Sequence, residues 1–203
     1  MKNQDKNEIL QMIDHLKKIN YVKPTELPNI ELYMDQVTTF MDKHLESSKR
    51  YSEDKLLTKT MINNYTKNNL LPSPNKKKYS KNHMYLLIFI YYMKNILSIS
   101  DIQSILGPLT EKFFDDKGEV KLEEVYEEIF HSGEKQALTL SKDVIRMYEN
   151  SKTTFASKED NENKEFLELF SFISMLCFDV YMKKQLIEKL IDDHFSKQVE
   201  EKK

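Results

Sequence analysis

Three glycines, one cysteine and no tryptophan among 203 residues set the first limits. Gly107, Gly118 and Gly133 stand alone, so no G-x-G pair exists to cradle a phosphate in the Rossmann or P-loop manner. So few glycines also fall short of the turns that a many-stranded sandwich or barrel needs. Cys177 by itself cannot close an intrachain disulfide or build a zinc site, and points to a reduced, cytoplasmic setting. The opening MKNQDKNEIL is charged throughout and has no apolar leader core. The longest apolar runs are Met84 to Met93, ended by Lys94, and Phe166 to Met182, interrupted by Glu168 and Asp179. Neither reaches the roughly 18–20 apolar residues of a membrane span, and no membrane association is expected.

Chemistry-bearing groupings are also absent. His15, His44, His83, His131 and His194 are scattered without paired metal spacing. Around DDKGEV, Phe113 and Lys117 occupy positions where a calcium loop needs oxygens. No nucleophile stands in a recognisable arrangement with a base. The sequence therefore predicts neither an enzyme nor a cofactor or metal.

What is present is charge, unevenly spread. A net charge of -2 conceals a window from Lys55 to Ser100 without Asp or Glu, in which Lys55, Lys59, Lys67, Lys76, Lys77, Lys78, Lys81 and Lys94 lie. From Glu119 onward acids outnumber bases, 19 against 13. A cationic face joined to an acidic region suggests a polyanionic partner.

The apolar periodicity is helical. Ile9, Met12, Ile13, Leu16 and Ile19 predict a helix over 7–20, which Pro24 and Pro28 follow. Ile30, Tyr33, Met34, Val37, Phe40, Met41 and Leu45 predict a helix over 29–45. Thr58 caps a third helix, over 58–69, and Ser80 one whose apolar body is Met84 to Met93. A further short helix starts near Ser98 or Ser100 and is stopped by Gly107-Pro108. FFDDKGEV reads as a boundary. Beyond it the pattern predicts one helix around Leu122 to Phe130 and another around Leu140 to Tyr148. A polar loop over 150–163 and a last helix from Lys164 to about Lys197 complete the chain.

Helix 58–69 divides cleanly on a wheel. Met61, Ile62 and Tyr65 form an apolar back, and Lys59, Thr60, Asn63 and Lys67 a polar front. A helix that enters a major groove needs this division, with one face docked and the other meeting bases and phosphates. Asn can pair bidentately with adenine, whereas Lys and Thr suit phosphate or guanine edges. The Pro-bounded segment 72–79, with Lys76, Lys77 and Lys78, then reads as a wing against the sugar-phosphate backbone. Neutralising about six phosphates gives a log–log salt slope of roughly −5. The expected DNA-binding residues are Thr58, Lys59, Thr60, Asn63, Asn64, Lys67, Lys76, Lys77, Lys78, Tyr79 and Lys81.

The run from Leu57 to Leu106 resembles the DNA-binding domain of MerR-like regulators, with Thr60, Ile62, Tyr65, Leu70, Leu71, Tyr79, Leu87, Ile90, Ile102 and Leu106 matching its pattern. More closely, Leu27 to Leu109 looks like a bacterial family catalogued as domain of unknown function 1836, whose members are thought of as transcription regulators. Two departures stand out. Asn63-Asn64-Tyr65 replaces the Arg-Tyr-Tyr of the MerR recognition helix, and Asn69 replaces its final glycine. The resemblance implies an all-α protein with a winged helix-turn-helix over 27–112, after an N-terminal helix and linker over 1–26. A C-terminal helical region over 119–203 would serve dimerisation or regulation.

MerR-like proteins often dimerise through a long C-terminal helix, and here the helix from Lys164 could take that role. Phe166, Phe170, Ile173, Cys177, Val180, Ile187 and Ile191 fall near heptad positions, with Lys183 and Lys184 breaking the seam. The expected partners are double-stranded DNA and a second copy of the chain, with any small-molecule effector left open. The alternative is a non-enzymatic helical interaction module whose basic face docks an acidic protein.

Overall fold

The computed structural model describes residues 22–155 and 162–195, together with Asn7, Gln11 and Ile13. The expected helix over 7–20 otherwise lies outside the described residues. The elements run β1 (Leu32–Tyr33), α1 (Met34–His44), α2 (Lys59–Lys67), β2 (Lys78–Tyr79), α3 (Lys81–Met93), α4 (Ile99–Phe113), α5 (Leu122–Ser151) and α6 (Lys164–His194). Single 3-10 turns occupy Pro24–Glu26 and Glu46–Ser48. The protein is mainly helical, and among the described residues no helix is long and apolar enough to cross a membrane. Two compact units divide these residues, one of 22–131 with 188–195 and one of 132–155 with 162–187.

In the first unit the core forms around α3, which is apolar on nearly every side. His83 through Tyr91 are all buried, as expected for a helix without a solvent face. Val37 and Met41 of α1, Ile62 and Tyr65 of α2, Ile102 and Leu106 of α4, and Leu122 and Tyr126 of α5 belong to the same core. Strands β1 and β2 pair antiparallel, Leu32 opposite Tyr79 and Tyr33 opposite Lys78. The two-residue alternation turns Leu32 and Tyr79 inward.

Four boundaries differ from the sequence expectation. Helix α1 begins at Met34, because the Tyr33 N–H donates to the Gln36 Oε1 at 2.9 Å and Leu32–Tyr33 is drawn into the strand pair. Helix α4 does not stop at Gly107-Pro108 but continues to Phe113. An interior proline removes a hydrogen bond and destabilises by about 3 kcal/mol, yet Leu106, Leu109 and Phe113 keep an apolar stripe against the core on either side of it. The two helices expected around 122–130 and 140–148 are one, α5, running through Gly133. FFDDKGEV is not an edge of the first unit. It forms a turn between α4 and α5, held by Asn82, whose Nδ2 donates to the Phe114 carbonyl at 2.7 Å and the Asp116 carboxylate at 2.9 Å.

Helix α5 makes a bond across more than a hundred residues, the buried Tyr126 hydroxyl donating to the Val22 carbonyl at 2.6 Å. The Tyr126 ring lies 4.6 Å from Tyr85 and 4.4 Å from Phe130, centroid to centroid. Tyr126→Phe keeps those ring contacts and strands a buried carbonyl. It is expected to lower stability by about 1–2 kcal/mol, measured as a shift in the urea unfolding midpoint at unchanged slope.

In the second unit, α5 and α6 meet where the Tyr148 ring stands edge-on to Phe172 at 5.4 Å. The Thr154 Oγ1 donates to the Ser171 Oγ at 3.1 Å. Of the loop expected over 150–163, helix α5 takes 150 and 151, residues 152–155 and 162–163 are turns, and 156–161 lie outside the described residues.

Candidate nucleic-acid interface

Helix α2 is set by its caps. The Thr58 Oγ1 accepts from the Met61 N–H at 3.2 Å, which satisfies one of the open donors of the first turn. At the other end Asn69 takes a left-handed φ of 55°, a conformation asparagine tolerates better than most residues. The Leu70 and Leu71 N–H groups then both donate to the Tyr65 carbonyl, at 2.9 and 3.2 Å. Leu70 and Leu71 are buried and draw the chain into the core.

The wheel division survives in three dimensions. Ile62 and Tyr65 are buried and Met61 half-buried, while Lys59, Thr60, Asn63, Asn64 and Lys67 are exposed along the opposite face. Thr58 is half-buried by its capping role.

The segment after Pro74 is a tight hairpin. The Lys78 N–H donates to the Asn75 carbonyl at 2.9 Å, and Asn75 and Lys78 form an antiparallel bridge. Lys76 and Lys77, the two residues between, both have positive φ, 48° and 66°. Positive φ at both central positions is the pattern of a type I′ turn, which Asn-Gly fills most easily. A side chain in that region costs about 1–2 kcal/mol per residue. Lys76 and Lys77 are exposed at this tip, whereas the Lys78 Nζ lies 5.5 Å above the Tyr33 ring.

A window free of acids in sequence is not free of them in space. Lys59 forms an ion pair with Asp35. Lys81 is bound to Glu123 at 2.7 Å and only partly exposed. The Lys94 Nζ turns inward to the Leu56 carbonyl at 2.6 Å, and burial lowers its pKa. Among the described residues Lys55, Lys67, Lys76 and Lys77 have no ion-pair partner and remain exposed.

Tyr79 must be removed from the expected DNA-binding set. It is 3% exposed, because the strand alternation that turns Lys78 outward turns Tyr79 into the core. Lys81 is diverted to Glu123. The alternation and both ion pairs depend on chain segments far apart in sequence. No local pattern announced them.

Beneath the hairpin sits His83, buried at the start of α3. Its Nδ1 accepts from the Ser80 N–H at 3.0 Å and lies 2.8 Å from the Ser80 Oγ. Its ring stands edge-on to Tyr79 and Phe114. Burial lowers its pKa from the ordinary 6.5, against the upward pull of the Ser73 and Pro72 backbone and of Glu31. The unfolded chain therefore takes up this proton more readily than the folded one. His83 contributes its full stability above about pH 6.5, and the contribution is lost as pH falls through the folded pKa. Urea midpoints should decline from about pH 7 to about pH 5, and His83→Gln should remove that component of the slope.

The expected dimerisation residues lie on α6. Phe166, Phe170, Ile173 and Val180 are 65%, 57%, 50% and 59% exposed, and Cys177 is exposed too. At 100° per residue they fall with Leu169 and Tyr181 inside an arc of roughly 120° that holds no charged residue before Lys184. Ile187 is half-buried. Ile191, 3% exposed, is packed within its own chain and cannot belong to such a face.

Residues 22–129 match the family model described as Domain of unknown function (DUF1836), just over half of the chain. No curated protein and no solved structure matches.

Proposed function

The chain belongs to the DUF1836 family, and we propose that it is a bacterial, cytoplasmic transcription regulator that binds duplex DNA through a MerR-like winged helix-turn-helix. In this reading α1 and α2 are the helix-turn-helix, α2 is the recognition helix and the hairpin 72–79 is the wing. The observation that carries the reading is the division of α2, whose apolar back is buried while Lys59, Thr60, Asn63, Asn64 and Lys67 face solvent. A nine-residue helix is about 13.5 Å long, a fair match to a major groove about 12 Å wide. The lysine tip at Lys76 and Lys77 supplies a second, sequence-independent anchor. Exposed apolar residues on α6 support a homodimer, which pairs naturally with two DNA half-sites.

The test is an electrophoretic shift with genomic fragments at low salt, followed by a salt titration of the tightest fragment. Lys59, Lys67, Lys76, Lys77 and Lys78 together give an expected log–log slope of about −4.5 per protomer. Equal weak binding of all fragments, unaltered in a Lys59→Ala, Asn63→Ala variant, would remove the sequence-specific part. Recovery of an acidic protein with the chain, and no duplex binding at all, would favour a protein-docking face instead.

A further inference from the structure

His83 is a titratable side chain only 4% exposed, wedged where three segments meet. Its ring stands edge-on to Tyr79 of β2 at 5.4 Å and to Phe114 after α4 at 4.8 Å, with the Pro72 and Ser73 backbone close by. The Nδ1 accepts from the Ser80 N–H, so the single proton of the neutral ring sits on Nε2. That Nε2 is buried and has no hydrogen-bond partner among the described residues. The neutral ring is thus a helix cap, in the part that Glu or Gln usually takes at the third position of a capping box.

A second proton has one place to go, and that place is the capping atom. Once Nδ1 carries a hydrogen it meets the Ser80 N–H donor to donor, and the cap is lost. The Ser80 Oγ, 2.8 Å away, can take the new hydrogen, but the Ser80 amide is left without an acceptor. The charged ring also stands at the positive end of the α3 dipole. Charges on the surrounding segments give little relief. Lys81 is held by Glu123, Asp116 by Asn82 and Asp115 by Lys117, while Lys78 lies over Tyr33. Glu31 remains as the acid among the described residues that draws a proton toward the ring, and burial outweighs it.

Relief therefore comes from opening the site, and its walls differ in how firmly they are held. Helix α3 is anchored by an unbroken run of buried residues from His83 to Tyr91. Segment 72–79 has a single buried side chain, Tyr79, and shares in a strand pair of two residues a side. The segment with the fewest buried contacts opens at least cost. We propose that His83 is a proton switch: a second proton on its ring uncaps α3 and releases segment 72–79 from the core, while the body of α3 stays folded. Lys76 and Lys77 ride on that segment, so the switch sets how this pair of cations is presented. Nothing in it depends on the duplex-DNA reading.

The test is amide hydrogen exchange of the full chain across the pH range, corrected for intrinsic rates, with the His83 ring nitrogens followed by heteronuclear NMR. Near neutral pH the ring should be the Nε2–H tautomer, and it should take its second proton only below the ordinary 6.5. The Lys78 and Ser80 amides donate to the Asn75 carbonyl and the His83 Nδ1, and a hairpin freed from the core is marginal in water. Their protection should fall about tenfold or more between about pH 7 and about pH 5, with the midpoint of the ring titration. The Leu87 and Ile90 amides should keep theirs. His83→Gln retains an acceptor for the Ser80 N–H and cannot titrate, so its hairpin should be equally protected at both ends of the range. An Nδ1–H tautomer in the wild type overturns the switch, as does a hairpin that stays protected in acid. Loss of all four amides together means that the core opens as a whole, which overturns it too. A folded Gln variant that opens like the wild type removes His83 as the cause. Should that variant not fold, the wild-type midpoints decide: coincidence of ring and hairpin supports the switch, and separation overturns it.

Discussion

Alanine at Lys59, Asn63 and Lys67 together is expected to weaken binding to a selected duplex about ten- to a hundredfold. The loss has two parts that separate experimentally. In the duplex-DNA reading each lysine removed withdraws one phosphate contact, so the log–log salt slope should fall by about 1.8 for the pair. That part is the same for any sequence. Asn63 contributes discrimination, about 1–3 kcal/mol if it pairs bidentately with adenine, and its loss should penalise the selected duplex more than a scrambled one. All three side chains are exposed, and the Lys59–Asp35 pair joins two solvent-facing groups, a type that contributes little to stability. Unfolding should therefore move by less than about 0.5 kcal/mol.

Ile62→Ala, on the buried side of the same nine residues, should do the reverse. It is expected to lower stability by about 2–4 kcal/mol. Equal losses on selected and scrambled duplexes would strip Asn63 of its role, and unchanged binding would remove α2 from the interface.

The contrast between those two faces was legible because it is local. Met61, Ile62 and Tyr65 at helical spacing, with Thr58 ahead of them, carry both the helix and its orientation without help from elsewhere. Helix α3 was legible for the same reason, since an apolar run of ten residues has few other places to go. Strands β1 and β2 were not, because two residues each make too short a run for alternation to register. Their pairing joins residues more than forty positions apart and exists only once α1 and α3 pack. It decides the fate of Tyr79, which local reasoning could place on either face.

Partners of the lysines were equally hidden. Lys81 meets Glu123 and Lys94 meets the Leu56 carbonyl only through the folded core. Punctuation misled in a third way. Gly107-Pro108 is a breaker by propensity, yet α4 runs through it. For α4 the reason is visible in the packing of Leu106, Leu109 and Phe113, because tertiary burial outweighs a propensity of a few kcal/mol.

If the chain is the homodimer proposed above, aspartate at Phe170 and Ile173 is expected to hold it as a monomer of 24.2 kDa at concentrations where the wild type should sediment at twice that mass. The face in question comprises Phe166, Leu169, Phe170, Ile173, Cys177, Val180 and Tyr181. From their exposure it leaves roughly 600–800 Å² of apolar surface in water, close to the ~800 Å² each partner contributes to a stable interface. Soluble monomers seldom leave so large a continuous patch open. Burying two unpaired carboxylates at its centre should weaken self-association by at least about a hundredfold. Because Phe170 and Ile173 are already exposed, the helical content should persist, and circular dichroism checks that.

Phe178 is equally exposed but lies outside the arc, so Phe178→Asp should leave the mass doubled. If the homodimer grips two half-sites, the Phe170→Asp, Ile173→Asp monomer should also halve the salt slope on a palindromic duplex, without any change in α2 or the wing. A wild type that sediments as a monomer across micromolar concentrations would leave the α6 face to some other occupant, and the two-fold reading of the DNA complex would go with it.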